Sequence, residues 1–116
     1  MRHQSSKITL DRVTAQRRSL LANLAESLVL YEKITTTKAK ASAVRSLVEK
    51  LVTKAKTNNI TTRRALMKVL YTENVAKKLL ETLGPRYADR KGGYTRMTII
   101  KNRVGDGAEV ALVEFV

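Results

Sequence analysis

Apolar residues recur along this chain in four helical stripes, followed by two β-rich stretches. Leu20, Leu21, Leu24, Ala25, Leu28 and Val29 follow an i, i+1, i+4, i+5 spacing, which predicts a helix from Thr14, the expected N-cap, to about Tyr31. Lys33-Ile34-Thr35-Thr36-Thr37 is short and β-branched and reads as a strand or an extended linker. Residues 38–57 give a second amphipathic helix with Ala41, Val44, Val48, Leu51, Val52 and Ala55 on one face, closed by Thr57-Asn58-Asn59. A third helix is expected from about Thr61, burying Ala65, Leu66, Val69 and Leu70. Thr72 caps a fourth, whose stripe is Val75, Ala76, Leu79, Leu80 and Leu83. There Gly84 is placed to take the left-handed C′ position and Pro85 to prevent continuation.

The C-terminal third changes period. Tyr94 to Lys101 and Val110 to Val116 are β-rich, and Arg103-Val104-Gly105-Asp106-Gly107-Ala108 has the Gly and Asp content of a hairpin loop. A lone hairpin is marginal in water, so Ile34–Thr37 is expected to join it as a third strand, with helices covering one face. The pattern predicts one α+β domain over 14–116. It is preceded by a basic extension, 1–13, whose isolated Ile8, Leu10 and Val13 follow neither period.

Composition bounds the function. The chain has 116 residues, enough for one domain, and an apolar fraction of 43%, enough for a core. Its 23 Lys plus Arg against 10 Asp plus Glu leave +13, a self-repulsion that an extended anionic partner relieves. Nucleic acid is the leading expectation, ahead of an anionic membrane surface. With no Cys, disulfide scaffolds, Cys-containing zinc sites and thiol nucleophiles are excluded, and no cofactor is expected. No apolar run approaches the length of a membrane span, and Met1-Arg2-His3-Gln4-Ser5-Ser6 leads into no apolar signal region, so an intracellular, soluble protein is expected. One Phe, four Tyr and no Trp argue against aromatic stacking as the main binding mode.

The charge is unevenly placed. Residues 1–18 hold Arg2, Lys7, Arg12, Arg17 and Arg18 against Asp11, a balance of +4. Residues 86–103 hold Arg86, Arg90, Lys91, Arg96, Lys101 and Arg103 against Asp89, a balance of +5. Residues 104–116 carry only Asp106, Glu109 and Glu114, and 19–85 interleave 12 bases with 5 acids. Concentrated bases in two short segments are the pattern of an electrostatic footprint, whereas interleaved signs suit a solvated face.

Between Gly84 and Arg96 several donors converge. Gly92-Gly93 allows close backbone approach, the flanking Arg and Lys offer phosphate donors, and Tyr87 and Tyr94 can stack on a base or bond a ribose hydroxyl. The alternative is a plain helix-to-strand connection with the tyrosines packed on the core, and at least one tyrosine is expected to do this. Thr36, Lys38 and Lys40 lie where the second helix begins, a place that favours anions, although threonines ending a strand before an N-cap read equally well. His3, the only histidine, has no nearby acid to orient it and suits stacking or phosphate contact better than catalysis. The acids in 19–85 are scattered singly in or beside helices, and there is no Walker motif, nucleophile elbow or dinucleotide fingerprint, so no enzyme is expected. A helix-turn-helix reading of helices 3 and 4 is disfavoured, because helix 4 offers only Lys77 and Lys78 as bases. A peripheral membrane role is disfavoured by the lack of a long basic helix with Trp or Phe on its apolar face.

The residues also carry a resemblance. Leu83-Gly84-Pro85-Arg86-Tyr87, then Arg90 through Gly92-Gly93-Tyr94-Thr95-Arg96, then Gly105-Asp106-Gly107-Ala108 leading to Ala111-Leu112-Val113-Glu114 form an ordered set. Met1-Arg2-His3, Leu10, Arg12, Arg17, Asn23, Ser27-Leu28, Ile34-Thr35-Thr36-Thr37, Ala39, Ala41 and Arg45 continue it at the front. Over essentially its full length the chain resembles the bacterial-type large-subunit ribosomal protein seventeen family.

That resemblance implies a structural constituent of the large ribosomal subunit, bound to ribosomal RNA near the polypeptide exit beside a small neighbouring protein. It implies four helices on a three-stranded mixed sheet, an N-terminal extension pressed into RNA, and a place in a cytoplasmic or organellar ribosome. The sequence departs from the family at Gln4-Ser5-Ser6-Lys7-Ile8-Thr9, where more Arg, Lys and Gly are usual, and at Asp11, Gln16 and Ala22. Together these features predict RNA contacts from Arg2, His3, Lys7, Arg12, Arg17, Arg18, Thr36, Lys38, Lys40, Arg86, Arg90, Lys91, Gly92, Gly93, Tyr94, Arg96, Lys101 and Arg103. Neither a homo-oligomer nor a membrane contact is expected.

Overall fold

The first stripe folds into α1 (Thr14–Tyr31) in a computed structural model that describes residues 9–116. Thr14 is the first helical residue and not the cap: Val13 precedes it in extended conformation, and the Val13 carbonyl accepts from the Arg17 N–H at 2.9 Å. The helix ends at Glu32, which takes a left-handed φ of 63° and returns its N–H to the Leu28 carbonyl. β1 (Lys33–Thr37) follows and leads directly into α2 (Lys38–Ala55). α3 (Ile60–Val69) starts one residue earlier than the apolar stripe suggests, because the Asn59 side chain caps it by accepting from the Thr62 N–H at 2.8 Å. Ahead of α4 (Glu73–Lys78), Thr72 stands at the N-cap, but its side chain makes no cap bond. Instead the Glu26 carboxylate reaches across from α1 and accepts from the N–H groups of Tyr71 and Thr72.

α4 does not stop at Gly84. It runs without a break into a π-helical turn (Leu79–Leu83) and a terminal turn (Gly84–Arg86). Gly84 has a right-handed φ of −55°, and its N–H reaches the Leu79 carbonyl five residues back. The widened turn accommodates Pro85, which has no N–H to give to the ladder. Gly84 is required for a different reason from the C′ role: a Cβ there would lie 2.5 Å from the carbonyl oxygen of Ala55. The end of α2 and the terminal turn therefore meet backbone to backbone.

β2 (Thr95–Asn102) and β3 (Glu109–Phe115) form the expected hairpin, closed by Arg103 N–H to Ala108 O at 2.7 Å and Gly107 N–H to Arg103 O at 2.9 Å. The sheet order is β1-β3-β2 with both pairings antiparallel, so the sheet is not mixed. β1 and β2 run in the same direction, but β3 lies between them and no parallel ladder forms. Ile34, Val113 and Met97 align across the sheet on the face turned to the helices, as do Thr36, Ala111 and Ile99. On the other face Lys33, Glu114 and Arg96 align, and so do Thr35, Leu112 and Thr98. α2 lies at the centre, touching α1, α3, the π turn and all three strands, and its Val44, Val48, Leu51 and Val52 are buried. The architecture is α+β: α1 and α2 lie against a small sheet, α3 packs on α2, and α4 packs on α1 and α3. Among the described residues no helix is long and apolar enough to cross a membrane.

Candidate nucleic-acid interface

The segment from Tyr87 to Arg96 is held at both ends by its own side chains. Tyr94 is only 1% exposed, and its ring packs on Tyr87 with centroids 5.3 Å apart. Its hydroxyl donates to the Arg90 carbonyl at 3.3 Å and lies 3.2 Å from Thr53 Oγ1. The Tyr87 hydroxyl donates to the Val116 carbonyl at 2.7 Å. Lys56 donates to the Arg90 carbonyl, sits 4.8 Å from the Tyr94 ring centre, and through its ammonium pulls the Tyr94 hydroxyl below its ordinary pKa. Thr95 is buried and fully engaged: its N–H and hydroxyl both donate to Glu49 Oε1, at 3.3 and 3.0 Å, and its Oγ1 accepts from Arg45 Nε at 3.2 Å.

This arrangement corrects the expectation for Tyr94. A ring enclosed by the core offers no face to a base, so Tyr94 anchors the loop and does not stack on RNA. Between the anchors, Arg90, Lys91, Gly92 and Gly93 are all exposed. A Cβ built on Gly92 or Gly93 would meet nothing within 4 Å, so the space above both is open to an approaching chain. Gly93 additionally has φ of +62°, which a side chain would strain.

Several predicted contact residues have acidic partners within the chain. Arg86 pairs with Glu32, which also receives Lys78 at 3.7 Å. The Arg86 guanidinium holds the Glu32 carboxyl below the usual carboxylate range, and the arginine's own pKa is raised in return. Arg96 donates to Glu114 at 2.9 and 3.2 Å, and Lys38 lies 3.4 Å from Glu109. Arg103 grips Asp106 through Nε and Nη2, pulling that carboxyl down to about 2 and raising its own pKa. All three acids of the C-terminal segment thus hold a base in place. Among the described residues, Arg12, Arg17, Arg18, Lys40, Arg90, Lys91 and Lys101 belong to no ion pair.

Arg2, His3 and Lys7 lie outside the described residues. Arg12 donates through Nη1 to the Leu10 carbonyl at 2.9 Å, within a turn where Leu10 and Asp11 both take φ of 53°. Arg18 is exposed on α1 and Arg17 half-buried. Thr36 faces the helical layer from β1 and is half-buried, while Lys38 and Lys40 stand in the first turn of α2. Glu49, Lys56 and Glu32 were not legible as site residues. Each acts on a partner more than 30 residues away, and no local spacing shows that.

The sequence that carries this loop matches a known family. The model of the family described as Ribosomal protein L17 fits residues 20–116. The chain belongs to the ribosomal protein L17 family. Relatives bearing the name large ribosomal subunit protein bL17 include that of Solibacter usitatus, 50% identical over all of this chain and 77% of its own length. Those of a Sulfurihydrogenibium species and Dehalococcoides mccartyi are 47% and 42% identical, over 97% and 99% of their lengths. L17 is a structural, non-catalytic component of the ribosome.

Proposed function

We propose that this chain is a structural constituent of the large ribosomal subunit in the cytoplasm, and that it binds ribosomal RNA and supports assembly and translation without catalysis. The observation that carries the proposal is the Tyr87–Arg96 segment, whose buried tyrosines and Thr95 hold Arg90, Lys91, Gly92 and Gly93 on the outside. Arg90 and Lys91 act there as phosphate donors and the two glycines admit the RNA backbone, while Lys101 is a further donor towards the far end of β2. Arg12, Arg17 and Arg18, with Arg2, His3 and Lys7 of the extension, make a second contact, and Thr36 in β1 and Lys40 in the first turn of α2 are further contacts. Lys38, Arg86, Arg96 and Arg103 are pre-oriented by their acids and add weaker, partly neutralised contacts. The reading extends to a position near the polypeptide exit, against neighbouring large-subunit proteins, as the family resemblance implies. A helix-turn-helix reading is weakened further, because Lys78 of α4 donates to the Leu30 carbonyl and pairs with Glu32.

The test is salt-dependent binding to isolated large-subunit RNA. With about eight phosphates neutralised, affinity falls about 10³–10⁵-fold between about 50 and about 200 mM salt. A nearly flat dependence, or equal affinity for duplex DNA, refutes the reading. Arg12→Ala with Arg17→Ala weakens binding more than Arg63→Ala with Arg64→Ala, since Arg63 is already paired with Glu73.

A further inference from the structure

A groove of about 370 Å³ opens between α1, α2 and α3, and of its lining only Arg18 belongs to the contacts proposed above. Its floor is Leu21, Leu47 and Val69, and its rim carries Arg18, Lys68 and Tyr71. Tyr71 is 59% exposed although it follows directly on a buried Leu70. Its backbone is fixed: the Tyr71 N–H donates to Glu26 Oε1 at 2.7 Å. That bond also occupies the nearby carboxylate of α1, and no acidic side chain lines the groove. The site thus combines an apolar floor, an aromatic edge and two cations.

We propose that this groove receives a single unstacked nucleotide of the ribosomal RNA, its base against Tyr71 and the apolar floor and its phosphate between Arg18 and Lys68. The inference rests on the RNA-binding function proposed above and adds a site to it. Charge selects the occupant, since both charged groups on the rim are bases and would repel a basic segment. Size selects it too. Each wall is about one helical turn long, from Arg18 to Ala22 on α1 and from Lys68 to Tyr71 at the end of α3. A helix docking in a groove needs anchors over two turns, whereas the volume suits one small planar group with its phosphate. Looped-out bases of RNA are recognised by this kind of stacking beside a cation.

Three measurements test it, two on the intact chain with isolated RNA and one in assembled subunits. Tyr71→Ala weakens binding to isolated large-subunit RNA about ten-fold with an unchanged salt slope, because a stacked base and no charge is lost. Lys68→Gln lowers the salt slope by about 0.7–0.9, the contribution of one phosphate. In assembled large subunits, Tyr71→p-benzoylphenylalanine cross-links to RNA on irradiation. Unchanged affinity of Tyr71→Ala beside normal wild-type binding overturns the groove assignment alone, as does a cross-link to protein or none at all. If the wild-type chain fails to bind the RNA, both proposals fall.

Discussion

Gly92 and Gly93 are neighbours, yet they answer to different demands. Gly93 needs its left-handed φ of +62°, so Gly93→Ala is expected to cost about 1 kcal/mol of stability, read as a lower unfolding midpoint. Gly92 has neither that φ nor a crowded neighbourhood. Gly92→Ala is therefore expected to leave stability within about 0.5 kcal/mol of wild type while reducing affinity for large-subunit RNA, because the methyl group obstructs only an incoming backbone. Equal RNA binding by Gly92→Ala would show that no chain approaches there. At the hairpin tip, the Arg103 guanidinium holds the Asp106 carboxyl down to about 2, and carbon-detected NMR on Arg103→Ala should find it returned toward the ordinary range of about 3.9. A folded-state pKa below the unfolded one means that this contact stabilises above the ordinary value and is lost as pH falls toward 2.

At the scale of elements, two junctions decide how the helices sit. One is the contact of Gly84 with the Ala55 carbonyl. Ala usually favours a helix over Gly, but Gly84→Ala is expected to destabilise by about 1–3 kcal/mol in chemical denaturation, since backbone atoms cannot move aside. The other is Glu32, which stands between α1 and β1, accepts through its carbonyl from the Phe115 N–H at 3.1 Å and pairs with Arg86 and Lys78. Glu32→Gln is expected to cost about 1 kcal/mol or less at neutral pH, because the pair is half in solvent. The carboxyl's pKa is lowered by folding, so the difference from wild type holds above about pH 4.3 and disappears as pH falls through the lowered value. The helical stripes, the hairpin and the third strand were legible because each buries residues at its own period. The π turn was not: Gly84-Pro85 reads locally as a stop, and only the distant Ala55 carbonyl gives the glycine another purpose. Tyr94 was misread for the same reason, since its partners Thr53 and Lys56 lie some 40 residues upstream.

For the whole molecule, +13 is a burden that the free chain carries alone. Added salt screens it, so the unfolding midpoint of the isolated protein should rise with ionic strength over the same range in which RNA affinity falls. Opposite responses of stability and binding would separate charge that acts within the fold from charge that acts on the partner. The acids of β3 and the hairpin tip sharpen this division. By pairing with Lys38, Arg96 and Arg103 they partly neutralise those three bases, whereas Arg17, Arg18, Arg90 and Lys91 are among the described bases that keep their full charge.

The order β1-β3-β2 bears on how the chain comes into being. β1 is synthesised near the start of the domain and β2 some 60 residues later, but neither pairs with the other. Both wait for β3, the last of the three to leave a translating ribosome. Until Glu109–Phe115 has emerged, the helices have no sheet to cover, and Tyr87 and Tyr94 lack Phe115 and Val116 to close against. The Tyr87–Arg96 loop therefore takes its final shape only after β3 has been made, so a chain still lacking β3 does not present the proposed binding surface complete.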